Sequence, residues 1–195
     1  VSETCPYVGR GGIKLQHALD TFAIDPGGWV CADFGSSVGG FTDCLVQAGA
    51  ARIYAVDTSY GELAWKLRQD ERVTPIERTN AMHAEPPEPV DLVTIDLGWT
   101  KQERAVPAAL RWLKADGRIV TLVKPHYELE RNEKERLAGG VLPEDEAERV
   151  VVRVLDALPA FGVRVLGSTK SPILGGQKKG RGTGNAEWLA LLERV

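Results

Sequence analysis

The sequence predicts a doubly wound α/β fold, a mostly parallel sheet covered by helices on both faces. Three observations carry that expectation. Apolar runs of strand length alternate with stretches of helical periodicity, the first run breaks into a turn rich in glycine and serine, and the last two runs follow each other without a helix between them. "GGIKLQHALDTFAI" places Leu15, Ala18, Leu19 and Phe22 on one helical face. "WVCADFG" reads as a buried strand and "GFTDCLVQAGA" as a helix closed by Gly49. "RIYAVDT", "RVTPIE" and "DLVTIDL" are the next strands, with the helix "GELAWKLRQD" between the first two. A helix over 102–115 puts Val106, Ala109, Leu110 and Leu113 on one face, and "GRIVTLVKP" follows as the fifth strand. After the charged stretch "HYELERNEKERLAGG", the helix "EDEAERVVVRVLDAL" opens with acids that suit its N-terminal dipole. "VRVLGST" and "AEWLALLERV" close the chain as strands. They are expected to pair antiparallel at one edge, since a parallel crossover needs about a dozen residues and usually a helix.

Composition bounds the function. The 195 residues fit one domain over 1–195, large enough to bury its own core. With 43% hydrophobic and 26% charged residues, and no apolar run near the ~20 residues that span a bilayer, a soluble protein away from membranes is expected. The start lacks the pattern of a secretory signal, and Cys5, Cys31 and Cys44 are too scattered for a disulfide framework, so a reducing cytoplasm is the expected home. Cys31 and Cys44 read as small buried residues. No Cys and His cluster has zinc-ligand spacing, and no metal is expected. The formal net charge of -3 argues against a globally basic nucleic-acid binder but leaves room for a local basic face.

The turn "DFGSSVGGF" is where an open parallel sheet holds its ligand, beyond the carboxyl ends of the strands. Gly35, Gly39 and Gly40 admit a close backbone approach, Ser36 and Ser37 keep the turn small, and Phe41 opens the next helix. The pattern is not the dinucleotide fingerprint G-x-G-x-x-G. Asp33, read as lying in the turn, would repel a pyrophosphate but hold an ammonium group. Asp57 ends the second strand about 20 residues after Gly35, where an acid commonly binds ribose hydroxyls. One acid for an ammonium and one for a ribose suit S-adenosylmethionine better than a nicotinamide dinucleotide. Asn80, after the third strand, lies where an adenine is expected or is a plain turn residue.

Eight blocks in order, "YVGRGGIKL", "DFGSSVGGFTDCLVQAGA", "YAVDTSYGELAWKLRQDERV", "ERTNA", "DLVTIDL", "TLVKP", "KSPI" and "GNAEWL", resemble the FtsJ-type ribosomal RNA 2'-O-methyltransferases, most closely the TlyA-type branch also labelled haemolysin A. The resemblance runs from Tyr7 to the C-terminus. It implies a Rossmann-like class I methyltransferase fold, seven strands with a terminal antiparallel one. It also implies S-adenosylmethionine as methyl donor, S-adenosylhomocysteine as product, and ribosomal RNA or a ribosomal subunit as partner, with the chain a monomer or weak dimer. Members of that branch usually carry an N-terminal RNA-binding domain of the S4 type, for which this sequence offers no counterpart.

The same resemblance implies a Lys-Asp-Lys-Glu tetrad at Lys14, Asp96, Lys124 and Glu187, with Asp96 also beside the cofactor. The chemistry fits. A ribose hydroxyl is a poor nucleophile at neutral pH, so transfer needs a group to take its proton and a geometry that aims the oxygen at a sulfonium methyl. Crowding of ammonium groups favours loss of a proton from one, and Lys124 is the expected base, with Asp96 and Glu187 orienting the cations. Taken singly, Lys14 reads as a solvated helix lysine and Glu187 as a charge guarding an edge strand, whereas Asp96 and Lys124 end strands where the cleft opens. Trp65, Trp99, Trp112 and Trp188 are expected to be packing residues, with Trp99 a candidate border of the substrate cleft. His126 lies near the cleft in sequence. Lys170, Lys178, Lys179 and Arg181 in the tail, with Arg10, would form a local positive face if the two ends meet. "DLGWT" and the acidity of "HYELERNEKERLAGG" depart from the family pattern on the acceptor side. The alternative reading is an RNA- or ribosome-binding protein, an assembly factor or haemolysin-like protein, that keeps the fold without turnover.

Overall fold

The computed structural model describes residues 5–176 and 184–195. Its strands are β1 Val30–Phe34, β2 Arg52–Val56, β3 Val73–Ile76, β4 Val90–Ile95, β5 Leu113–Val123, β6 Val163–Lys170 and β7 Trp188–Arg194. They form one seven-stranded sheet in the order β3-β2-β1-β4-β5-β7-β6. The first five are parallel, and β7 inserts antiparallel between β5 and β6. The expected doubly wound sheet with antiparallel closing strands is therefore present. Strand order reverses between β1 and β4, which opens a crevice at their carboxyl ends.

The helices are α1 Gly11–Thr21, α2 Gly40–Gln47, α3 Trp65–Arg68, α4 Gln102–Trp112, α5 Pro125–Glu128 and α6 Glu144–Ala157. Alternation along the strands sends their side chains to two faces. Cys31, Ile53, Leu92 and Val120 pack with Leu15 and Leu45 of α1 and α2; Phe34, Val93, Ile95 and Ile119 pack with Val106 and Trp112 of α4. Trp112 is fully buried, meets Phe34 edge to face at 5.2 Å and donates Nε1–H to the Ala84 carbonyl at 3.1 Å. Pro75 is tolerated in β3 because that strand lies at the sheet edge.

Several boundaries differ from the sequence expectation. The helix expected over 61–70 is a single turn, α3, because Gly61 adopts φ +79° and donates its N–H to Glu77, holding the preceding segment as a loop. The helix expected to reach residue 115 stops at Trp112, where Leu113 turns extended and enters β5 through a register shift against β4. The charged stretch, to which the sequence assigns no element, holds most of α5 and a 3₁₀ turn, Arg131–Arg136, closed by a reciprocal Glu130/Glu133 capping box. The last strand is interior, and β6 is the edge.

Candidate active site

The carboxyl rim of the sheet carries a cleft of about 560 Å³ lined by Gly35, Ser37, Asp57, Asn80, Asp96 and the loops after β2 and β4. A narrower pocket of about 180 Å³ continues from it past Ser36, Gly40 and Phe41 to Gly9–Gly11, with Asp96 shared between the two. Gly35 is the hinge of this cradle. Its φ is +88°, and a Cβ there would stand 2.5 Å from the Asp96 carbonyl oxygen, so backbone occupies the space that any side chain would need. Gly40 lets α2 approach α1, since its Cβ would lie 3.1 Å from the Gly11 Cα. That contact, with the Val8 N–H donating to Asp43 at 2.7 Å, brings the segment before Lys14 to the rim. Ser37 has φ +48° and donates its N–H to Asp57 Oδ2 at 2.7 Å. Asp57 also accepts from the Ser59 N–H and hydroxyl at 2.8 and 2.7 Å. Burial alone would raise Asp57, but these hydrogen bonds outweigh it and hold the carboxyl below its usual range.

One position in the opening turn stands elsewhere than charge matching expects. Asp33 is not in the turn but in β1, fully buried, and it lines neither pocket. Strand alternation aims it at α2, where Thr42 donates to Oδ2 at 2.6 Å, and its register partner Thr94 donates to Oδ1 at 3.1 Å. Gly39 is the left-handed N-cap of α2, where a Cβ would collide with Leu67 and Leu63. Asn80 borders the cleft, and its Oδ1 accepts the Met82 N–H at 2.9 Å as a turn residue's would.

Burial pushes the Asp33 carboxyl up to about 7, against the hydrogen bonds of Thr42 and Thr94 and with a smaller push from Asp96. The folded chain keeps a proton that the unfolded one releases near 3.8, so Asp33 costs stability progressively as pH rises from about 4 to about 7. Asp33→Asn is expected to remove that slope. The thermal midpoint of the native chain should fall relative to the variant across this window and run parallel above it; a constant gap contradicts the assignment.

The four charged residues of the expected tetrad meet at the same rim as two ion pairs. Lys124 Nζ lies 2.5 Å from Asp96 Oδ1 and donates to the Leu97 carbonyl at 3.2 Å. Lys14 Nζ lies 2.5 Å from Glu187 Oε2, with both side chains at least nine-tenths buried. The sheet explains the convergence. Val123 pairs with Trp188 at the end of the β5–β7 ladder, and Lys124 and Glu187 are their immediate chain neighbours at that end. Thus Glu187 is an interior residue, not an edge guard, and Lys14 is a buried cation, not a solvated one. Gly175 covers the Glu187 carboxylate closely enough that a Cβ would overlap it. Arg10 donates to the Leu174 carbonyl at 3.5 Å, so the two ends of the chain do meet there; Lys178, Lys179 and Arg181 lie outside the described residues.

A second cavity of about 460 Å³ adjoins the cleft, lined by Trp99, Tyr127, His126, Lys101 and Leu137. Trp99 borders both spaces. It is 84% exposed at φ +61°, and its ring centroid lies 4.5 Å from that of Tyr127, which lies 4.1 Å from that of His126. A large aromatic held exposed in a left-handed conformation departs from the packing role expected of it, as does exposed Trp65; Trp112 and Trp188 do pack. Burial, then the charges of Lys124 and Lys14, push the His126 imidazole down to about 4, so it is neutral at pH 7. Ser59, Thr79, Leu97, Gly98 and Thr100 also line the cleft without a signal of their own in the sequence, although each follows a strand end, and Trp99 borders it as the sequence suggests. Among the described residues no group of His, Cys, Asp or Glu is arranged to hold a metal ion, and no helix is long and apolar enough to cross a membrane.

A sheet reversing between β1 and β4, an acid at the end of β2 facing the rim cleft, and an antiparallel β7 define a class I methyltransferase fold. The profile of the FtsJ-like methyltransferase family matches residues 7–178. The chain is 39% identical over 173 residues to the 16S/23S rRNA (cytidine-2'-O)-methyltransferase TlyA of Mycobacterium tuberculosis, covering 87% of this chain and 64% of that protein. It is 33% identical over 195 residues to Hemolysin A of Brachyspira hyodysenteriae, covering 97% and 78% respectively. A solved structure described as "Putative hemolysin from Streptococcus thermophilus" superposes with a TM-score of 0.90 at 37% identity, covering all of this chain and 70% of that one. The chain belongs to the FtsJ-like methyltransferase family.

Proposed function

We propose that this chain transfers a methyl group from S-adenosylmethionine to a ribose 2'-hydroxyl of ribosomal RNA. The observation that carries the reading is the pair of ion pairs at the strand rim, Lys124–Asp96 and Lys14–Glu187, with Asp96 lining the cleft proposed for the donor. The fit rests on the chain's own groups. Asp57 presents a carboxylate to the cleft where it would bind the ribose hydroxyls, the Gly35 cradle admits backbone contact, and Asp96 lines both pockets. Asp33 supports that cradle from below through Thr42 and Thr94.

The bound donor supplies an electrophilic methyl on a sulfonium. The residues supply the rest. Lys124, once its own proton has passed to solvent, would take the proton of the ribose hydroxyl that the donor's methyl group replaces. Asp96 and the Leu97 carbonyl aim the Lys124 nitrogen. Lys14, pinned by Glu187, orients the hydroxyl from the other side. His126 adds no further positive charge there. The aromatic cavity beside the cleft offers a stacking wall for the acceptor's base, and Trp99→Ala is expected to raise the half-saturating RNA concentration about tenfold, with a smaller loss of donor affinity because the ring also borders that cleft. An unchanged RNA requirement would remove Trp99 from the acceptor site.

The resemblance between relatives extends to an RNA-modifying enzyme and to a protein named as a hemolysin. Calorimetry with S-adenosylmethionine, followed by a turnover assay on ribosomal subunits, separates an enzyme from a binding protein that keeps the fold. Donor binding with turnover is expected; donor binding without turnover on any RNA would favour the binding protein.

A further inference from the structure

Directly behind Lys124 lies a buried polar knot that takes no part in the steps above. Gln102, the first residue of α4, is 4% exposed. Its Nε2–H donates to the Leu122 carbonyl at 3.3 Å, its Oε1 accepts from the fully buried Thr121 hydroxyl at 2.7 Å, and its backbone N–H donates to Glu128 Oε1 at 2.9 Å. Thr121 and Leu122 precede Lys124 on β5, and Glu128 follows it at the end of α5. Gln102 is therefore bonded to the chain on both sides of the lysine.

Buried polar groups cost free energy unless paired, and an apolar core here would hold α4 to β5 equally well. A fully satisfied polar knot adds something an apolar contact lacks, a single permitted register. The register it fixes is that of residues 97–101. That segment starts at Asp96, whose N–H donates to the Phe34 carbonyl at 2.9 Å, and ends at Gln102. In between lie the Leu97 carbonyl that accepts from Lys124 and the Trp99 ring that divides the two cavities. One end is fixed by the sheet, the other by the strand that carries the lysine itself.

We propose that Gln102, with Thr121 and Glu128, is a positioning residue that sets where the Lys124 amine stands relative to Asp96 and the donor cleft. The inference rests on the 2'-O-methyl transfer reading for its consequence in rate, but the geometry of Lys124 can be read without turnover. Thr121→Val removes the hydroxyl and keeps the β-branched shape; Thr121→Ser restores the hydroxyl. Since displacement of a reacting group by ~1 Å can cost about 100-fold, Thr121→Val is expected to slow single-turnover methyl transfer at least tenfold. Donor affinity and half-saturating RNA should change less than the rate does, because Thr121 itself lines neither the donor cleft nor the acceptor wall and reaches them only through residues 97–101. Thr121→Ser should stay within about threefold of the native rate. The double variant Thr121→Val with Gln102→Met replaces both partners by apolar groups of similar shape, which keeps the fold testable should the single variant be unstable. In protein carrying ¹⁵N-lysine, the Lys124 side-chain resonance, assigned by its loss in Lys124→Ala, should move in Thr121→Val and not in Thr121→Ser. A Thr121→Val chain with the native rate and an unmoved resonance, or a Thr121→Ser chain as impaired as Thr121→Val, overturns the proposal. A native chain that transfers no methyl overturns the function reading instead, and the resonance then decides the positioning role alone.

Discussion

Lys124→Ala is expected to abolish methyl transfer, by a factor of about 100 to 10,000, while donor affinity changes by no more than a few-fold. The size follows from the role: among the described residues, Lys124 is the side-chain nitrogen paired with Asp96 and bonded to the Leu97 carbonyl. His126 is an unsuitable substitute, since an imidazole held to about 4 takes a hydroxyl proton poorly at neutral pH. Asp96 is left without its partner, but its side chain is 22% exposed and can be hydrated, so the fold should survive. Lys124→Arg should be equally inactive, because a guanidinium keeps its proton. Single-turnover rates with calorimetric donor binding on the same preparations decide the matter; activity within tenfold of native in either variant removes Lys124 as the base.

Gly35→Ala is expected to lose donor binding as well as turnover. An alanine at φ +88° carries a backbone penalty of about 1–3 kcal/mol, and its Cβ would press on the Asp96 carbonyl and the Leu97 side chain at 2.5 and 3.2 Å. Relief requires β1 and β4 to part at the crevice, which displaces Asp96 and through it Lys124. Calorimetry should show donor affinity weakened at least tenfold and scanning calorimetry a lowered thermal midpoint. Native donor affinity in Gly35→Ala would mean that the cleft does not depend on this close approach.

The positions legible in the sequence were those tied to strand ends. An open parallel sheet presents its ligand at the carboxyl rim, so Asp57, Asp96 and Lys124, each closing an apolar run, had one place to go. Lys14 and Glu187 were not legible alone. Their local patterns read as solvent-facing, and only the ordered resemblance grouped them; the interior place of β7 and the Gly40–Gly11 contact are what bury them. Asp33 was misplaced because a glycine-rich segment was read as beginning at the acid. Alternation from Cys31, which faces α1 and α2, would have aimed Asp33 at α2. The loop after β2 was read as helix because "GELAWKLRQD" carries helical residues, while Gly61 and the Glu77 contact hold it open along the cleft. Gln102 was not legible at all, and Trp99 only as a candidate border of the cleft, because their places come from a loop whose ends are fixed by residues far away in the chain, and no local period encodes that.

The whole construction depends on a neutral amine reaching a ribose oxygen, and the chemical identity of the product reports it most directly. Ribosomal subunits lacking the modification would be incubated with the protein and S-adenosylmethionine carrying a deuterated methyl group, then digested to nucleosides for mass spectrometry. The label should appear on the ribose of a 2'-O-methylnucleoside and be absent when Lys124→Ala replaces the native chain. Label on a base, or label on ribose that persists with Lys124→Ala, would show that the two ion pairs at the sheet rim do not perform this transfer.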